Sequence, residues 1–188
     1  MKILLASSSP RRREILSMVG FDFRVVKAKT EEVILHFPVE TAVENAKRKV
    51  LSVKEDLKKN EVGLAADTIV VLDGKILGKP KNEEEAVKFL KLLSGRWHTV
   101  YTGFAILFPN GKLLASFEES KVKFKRLTTS EIEWYVSTKE PLDKAGAYGI
   151  QGIGAIFIER IEGDFFNVMG LPISRIYDIL SLELQNGG

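Results

Sequence analysis

Apolar residues in this chain fall into short runs and helical stripes that alternate from one end to the other. Lys2–Ala6 is a short, mostly apolar run and reads as a buried strand. Ser9 then stands where a helix is capped, and Pro10 suits the first helical position. Ile15, Leu16 and Val19 give that helix an apolar stripe, and Gly20 ends it. Phe23–Val26 predicts a second strand. Pro38 opens a longer helix. Its Val39, Val43, Ala46, Val50, Val53 and Leu57 share one face, and Lys47, Lys54 and Lys58 carry the other. An apolar run at 63–72 predicts a strand, and Asp73-Gly74 predicts a tight hairpin into Lys75–Leu77.

The second half continues the alternation. Asn82 can cap a helix whose first turn carries Glu83, Glu84 and Glu85, a favourable placement against the helix dipole. Ala86, Phe89, Leu90 and Leu93 form its buried face, and Gly95 closes it. Residues 98–108 and 113–124 read as a strand pair around Pro109-Asn110-Gly111, with a short helix near 131–137. Gly146, Gly149, Gly152 and Gly154 predict tightly bent backbone ahead of a strand at 155–161. A last helix starts near Pro172 and runs through Ile176, Leu180 and Leu184. Helices and strands intermingle, with hairpins and no repeat or low-complexity linker. That pattern predicts an α/β fold on a mixed sheet, as one domain over residues 1–188.

Composition narrows the function classes. The chain has 188 residues, 45% of them hydrophobic, enough for one substantial core. Its 28 Lys and Arg against 25 Asp and Glu leave a net charge of +3, too slight to argue for nucleic acid. The absence of cysteine excludes disulfides, thiolate metal sites and a cysteine nucleophile. Two histidines, His36 and His98, cannot build a histidine-rich metal cage. No apolar run approaches the roughly 20 residues that span a bilayer, and the apolar start is too short for a signal peptide. The cytoplasm is the expected compartment.

Four segments could carry chemistry. In Ser7-Ser8-Ser9-Pro10-Arg11-Arg12-Arg13, a strand runs through small hydroxyl residues into a helix N-terminus. Free N–H groups, the helix dipole and two guanidinium forks there favour an anion. An ordinary capped helix with solvated arginines explains the spacing equally well. The Walker pattern is missing. In Ala65-Ala66-Asp67-Thr68-Ile69, an acid interrupts an apolar strand. It could hold a divalent ion or orient a water, or be satisfied by backbone amides at a bulge. Gly78-Lys79-Pro80 holds a cation on restricted backbone, though most such stretches are plain loops. Residues 140–152 gather Asp143, Lys144, Tyr148 and Gln151 among glycines. Backbone can approach a ligand closely there, and Gln151 has the donors and acceptors to read a base edge. Glu31 and Glu32 read as solvated, Lys49 as a wet helix face, and His98 as a structural residue.

Taken in order, these segments resemble one family, the Maf nucleotide pyrophosphatases. The resemblance rests on Ser7-x-Ser9-Pro10-Arg11-Arg12, Asp67-Thr68, Gly78-Lys79-Pro80, His98-x-Val100-x-Thr102-Gly103, Asp143-Lys144-Ala145-Gly146-x-Tyr148-x-Ile150-Gln151-Gly152 and Val168-Met169-Gly170-Leu171-Pro172. Arg13 lies outside the shared motif. The family fold implied is two-lobed α/β, with a long mixed sheet flanked by helices and a central cleft. The 140–152 segment is similar to the branch acting on dTTP and UTP, which implies hydrolysis of those nucleotides, and of modified pyrimidine nucleotides, to the monophosphate and pyrophosphate.

The resemblance also assigns roles. Asp67, Lys79, Lys49 and Glu32 become catalytic residues, with Glu32 and Asp67 holding a divalent cation, Mg²⁺ or Mn²⁺. Glu31 competes with Glu32 for that place. Ser9, Arg11, Arg12, Thr68 and Gln151 become substrate-binding residues. The implied partners are a nucleoside triphosphate and a second copy in a homodimer, with neither nucleic acid nor membrane. Two other readings stay open at this level: a nucleotide-binding regulator of cell division that does not cut its ligand, and a nucleic-acid-binding protein using Arg11, Arg12 and Arg13.

Overall fold

The computed structural model describes residues 2–186. The apolar run at its centre becomes β3 (Glu61–Leu72), buried almost throughout. Around it stand β1 (Lys2–Ala6), β2 (Phe23–Val26), β4 (Lys75–Leu77), β5 (Trp97–Leu107), β6 (Leu113–Phe124) and β7 (Ile158–Glu162). The described residues form a seven-stranded sheet in the order β2-β1-β3-β5-β6-β7, with β4 also pairing β3. β1 runs parallel to β2 and β3, and the remaining pairs are antiparallel. The sheet is mixed and flanked by helices, as the interleaved pattern predicts. Among the described residues no helix is long and apolar enough to cross a membrane.

One irregularity of the pairing sets the position of everything functional. β1 accompanies β3 only from Lys2 opposite Glu61 to Leu5 opposite Leu64. β4 resumes at Val70 opposite Leu77. Between them, residues 65–69 of β3 have no strand partner on that edge among the described residues, while their other edge pairs with β5 without a break. The sheet therefore has a notch. Side chains of a strand alternate between faces, so a notch lets groups from both faces reach one opening.

The helices are α1 (Pro10–Met18), α2 (Pro38–Leu51), α3 (Glu83–Leu93), α4 (Thr129–Ser137), α5 (Phe165–Met169) and α6 (Ile173–Asn186). α2 covers one face, where Ala46 and Val50 meet Leu4, Ala6, Ala65, Ala105 and Leu107. α1, α5 and α6 lie on the opposite face over Ile3, Leu5, Leu64, Phe104 and Ile106. α3 and α4 extend that face over Val100, Val122 and Phe124. Local chemistry fits the starts of α3 and α4. Asn82 accepts from the Glu85 amide at 2.9 Å, and Thr128 with Glu131 makes a reciprocal capping box. Asp73 and Gly74 both take positive φ, 50° and 76°, as a tight hairpin demands.

Four details depart from the pattern. Ser9 precedes α1 in extended conformation, but its side chain makes no capping bond. Ser7 Oγ instead accepts the Ser9 amide at 3.1 Å. α2 ends at Leu51, so Val53 and Leu57 lie beyond it, and its buried face is Thr41, Ala42, Asn45, Ala46 and Val50, with Val39 and Val43 only half-buried. Small residues let the helix press against the sheet along that line. The strand expected at 155–161 begins only at Ile158, because residues 153–157 form a 3-10 turn. Gly152 turns the chain at φ 90°, and Glu140 takes the amides of Ile153 and Gly154 at 2.9 and 3.0 Å. α5, five residues long, is too short to leave a periodic signal.

Gly103 shows how tightly α2 is seated. A Cβ built there would lie 2.3 Å from the Ala42 carbonyl carbon and 2.5 Å from the Val43 nitrogen, both rigid backbone. Gly103→Ala is therefore expected to destabilise the fold by about 3 kcal/mol or more. Urea unfolding of the parent and the variant checks this, and equal midpoints would contradict the packing described.

Candidate active site

The notch opens into a cleft of about 840 Å³, within the usual size of small-molecule sites. Its walls come from the end of β1, the start of α1, the 27–34 loop, α2, the notch residues of β3, Gly78-Lys79, and residues 143–150 with 168–170. Every site residue expected from the sequence lines it except Gln151: Ser9, Arg11, Arg12, Glu32, Lys49, Asp67, Thr68 and Lys79.

On the α2 side, Asp67 is 6% exposed. A carboxylate that deep needs partners. Lys49 Nζ lies 2.6 Å from Asp67 Oδ1, and Asn45 Nδ2 donates to Asp67 Oδ2 at 3.0 Å. Lys49 also reaches Glu32 Oε1 at 2.6 Å, so one ammonium bridges two carboxylates. Lys49 is thus not a wet-face lysine: its side chain is only 12% exposed. The same bond favours Glu32 over Glu31 as the acid partnered in the cleft. Burial works to raise the Glu32 pKa, but the hydrogen bond and charge of Lys49 and the charge of Lys79 outweigh it, and Glu32 is held below the usual carboxylate range.

On the opposite side, Arg12 is knitted into the protein. Its Nε donates to the Gly170 carbonyl at 2.8 Å, one terminal nitrogen to Ser7 Oγ at 3.1 Å and the other to Thr68 Oγ1 at 3.2 Å. Thr68 and Thr102 share a hydrogen bond of 2.9 Å, and Thr102 donates onward to the Asn167 carbonyl at 2.8 Å. A guanidinium has five N–H donors, so two remain for a ligand. Burial lowers the Arg12 pKa, and the charge of Asp67 opposes that shift. Asp67 and Thr68 are neighbours on one strand, yet they bond to opposite layers. The cleft holds both because β3 is uncovered there.

The last wall is assembled from two sequence segments. The Gly146 amide donates to the Gly78 carbonyl at 3.0 Å, which fastens the 143–150 segment beside Lys79. Glu140 organises that segment from behind, accepting from Tyr135 Oη at 2.9 Å as well as from the two amides named above. Tyr148 lines the cleft and is buried, with its hydroxyl 2.7 Å from His98 Nε2. Gln151 departs from expectation: its Nε2 donates to Glu14 Oε2 at 3.0 Å. The positive φ at Gly152 turns the chain just beyond it, and the Glu14 carboxylate offers the acceptor that draws its amide away from the cleft. The residue that sequence patterning missed is Asn45. Its only signal is a polar side chain within the buried stripe of α2.

A divalent cation fits this donor set in one way. Among the described residues there is no cluster of three or more His, Asp or Glu, so no all-protein cage exists. Glu32 and Asp67 share the Lys49 ammonium. Two hard carboxylates in a cleft that also holds Arg11, Arg12 and Lys79 match ions of the Mg²⁺ kind, which take one or two carboxylates plus phosphate oxygens.

A profile described as Maf-like protein matches residues 2–183. The chain belongs to the Maf family. Among its Maf relatives, a protein named dTTP/UTP pyrophosphatase from Thermoanaerobacter sp. (strain X514) is 50% identical over 187 residues, covering 98% of each chain. Those of that name from Aquifex aeolicus (strain VF5) and Pyrococcus abyssi (strain GE5 / Orsay) are also 50% identical, the first over 96% of this chain and 94% of its own, the second over 97% of both. The solved structure of a HAM1 protein from Coxiella burnetii shares the fold at a TM-score of 0.56. It is 16% identical, over 96% of this chain and 98% of that one.

Behind the wall of this Maf cleft, His98 bonds Tyr148 and supplies a pH-dependent prediction. Burial pushes its pKa down from 6.5 to about 4. The unfolded chain therefore takes up a proton that the folded chain refuses as pH falls between these values. His98 contributes stability that is whole above about pH 6.5 and is lost towards pH 4, by about 3 kcal/mol. Urea unfolding at pH 7 and pH 4 should show a smaller loss in His98→Gln than in the parent. An identical loss in both would contradict the burial argument.

Proposed function

We propose that the protein hydrolyses nucleoside triphosphates, dTTP and UTP first among them and modified pyrimidine nucleotides with them, to the monophosphate and pyrophosphate. The observation that carries the reading is a held carboxylate facing a cationic wall: Asp67 sits in one cleft with Arg11, Arg12, Lys49 and Lys79. The names of relatives that are half identical over nearly the whole chain supply the substrate class. The seven strands share one sheet, which supports reading residues 1–188 as one domain.

The triphosphate lies along the α1 N-terminus, where Pro10 leaves the following amides free and the helix dipole favours an anion. Arg11 and Arg12 grip phosphate oxygens, with Ser9 beside them. Asp67 orients a water towards the α-phosphorus and takes its proton as the new P–O bond forms and the bond to pyrophosphate breaks. Lys49 and Lys79 stabilise negative charge as it moves onto the leaving group. Mg²⁺ or Mn²⁺, when held by Glu32, Asp67 and phosphate oxygens, supplies Lewis-acid charge neutralisation. Thr68 lies beside Arg12 and serves substrate choice. Gln151 joins it only on leaving Glu14.

A non-cutting regulator could use the same cations, but it has no need of a carboxylate fixed among them.

Asp67→Asn keeps the size and removes the charge. It is expected to lower kcat for dTTP at least about 100-fold, the scale of a lost general base, with circular dichroism unchanged. Pyrophosphate release at the parent rate would remove Asp67 from this role. EDTA is expected to abolish turnover and excess Mg²⁺ to restore it; full activity in EDTA would remove the metal.

A further inference from the structure

Asn45 lies on α2 one turn before Lys49 and is 3% exposed. Its side-chain amide makes three hydrogen bonds. Nδ2 donates to the Val33 carbonyl at 3.0 Å and to Asp67 Oδ2 at 3.0 Å, and Oδ1 accepts the Val33 amide at 2.8 Å. The partners fix the amide orientation, because the Val33 N–H can only donate and the other two can only accept. Val33 adjoins Glu32. Lys49 takes the other oxygen of Asp67 and the carboxylate of Glu32, each at 2.6 Å. Two side chains spaced i,i+4 on one helix thus tie the Glu32 loop and the Asp67 strand to each other.

We propose that Asn45 is a positioning residue for the hydrolysis: it fixes the plane of the Asp67 carboxylate and, with the same amide, the loop that presents Glu32. The inference rests on the roles given above to Asp67 and Glu32. Rotation about the terminal torsion of an aspartate is soft. Lys49 alone fixes one oxygen with a rotatable point charge. The amide fixes the second oxygen and adds no charge to weaken the hold of Lys49. Anchoring the loop needs only the two bonds to Val33. The third bond, to the carboxylate, is what a loop anchor would not require.

Two variants separate the roles. Asn45→Asp keeps the volume and the acceptor for the Val33 amide, but it cannot donate to Asp67 or to the Val33 carbonyl. Asn45→Ala removes all three bonds. Both are expected to lower kcat for dTTP about 100-fold, the scale of a small misplacement of reacting groups. KM should stay within about threefold, because the cations that bind the triphosphate are untouched. Amide hydrogen exchange gives a readout apart from activity: Val33 should stay protected in Asn45→Asp and lose protection in Asn45→Ala.

An active parent with an unchanged kcat in Asn45→Asp would overturn the positioning role alone. So would a rise in KM with kcat preserved, or loss of the fold in both variants by circular dichroism. A parent that releases pyrophosphate from no triphosphate would sink the wider reading instead, and this one with it.

Discussion

A carboxylate in the middle of an apolar strand has to be held, and the holding of Asp67 orders the rest of this molecule. Its desolvation is offset by the ammonium of Lys49 and the amide of Asn45, both delivered by α2. Those side chains reach only if α2 lies close to the sheet. Closeness in turn demands small residues along the contact, which is where Ala42, Ala46, Ala105 and Gly103 stand. The bare glycine of β5 is thus tied, through one helix, to the charge of an acid on β3.

The notch in the sheet turns that buried acid into an accessible one. Where β1 stops and β4 has not begun, the edge of β3 is open. Groups from both faces converge there: the carboxylates and Lys49 from the α2 layer, and Arg12 with Ser7 and Thr68 from the α1 layer. The carboxylates on the α2 side thus face the Arg12 guanidinium of the α1 side across the opening. In the proposed hydrolysis a triphosphate entering the cleft would meet both, and the many bonds of Arg12 mean that this wall is largely set in advance.

Much of this is written in local patterns. The strands of β1 to β6 and the helix starts at Pro10, Pro38 and Asn82 follow from periodicity, caps and turn residues. The acid at 67 stands out because apolar strands exclude charge. What stays hidden is whatever depends on distant partners. Lys49 stands three and four residues after Ala46 and Asn45, beside the buried stripe, and only the approach of β3 gives it a carboxylate. Asn45 looks like a polar interruption of an apolar stripe until Val33 and Asp67 are placed against it. The strand expected at 155–161 gave way to a turn because Glu140, far along the chain, takes the amides of Ile153 and Gly154. Gln151 has the chemistry to read a base, but Glu14 on α1 engages its amide first.

The central claim is that Asp67 directs water at the α-phosphorus of a triphosphate held by the cationic wall. Hydrolysis of dTTP in water enriched in oxygen-18, with mass spectrometry of both products, tests it most directly. The account predicts one heavy oxygen in the thymidine monophosphate and none in the pyrophosphate. Label in the pyrophosphate, or products that are diphosphate and inorganic phosphate, would contradict it.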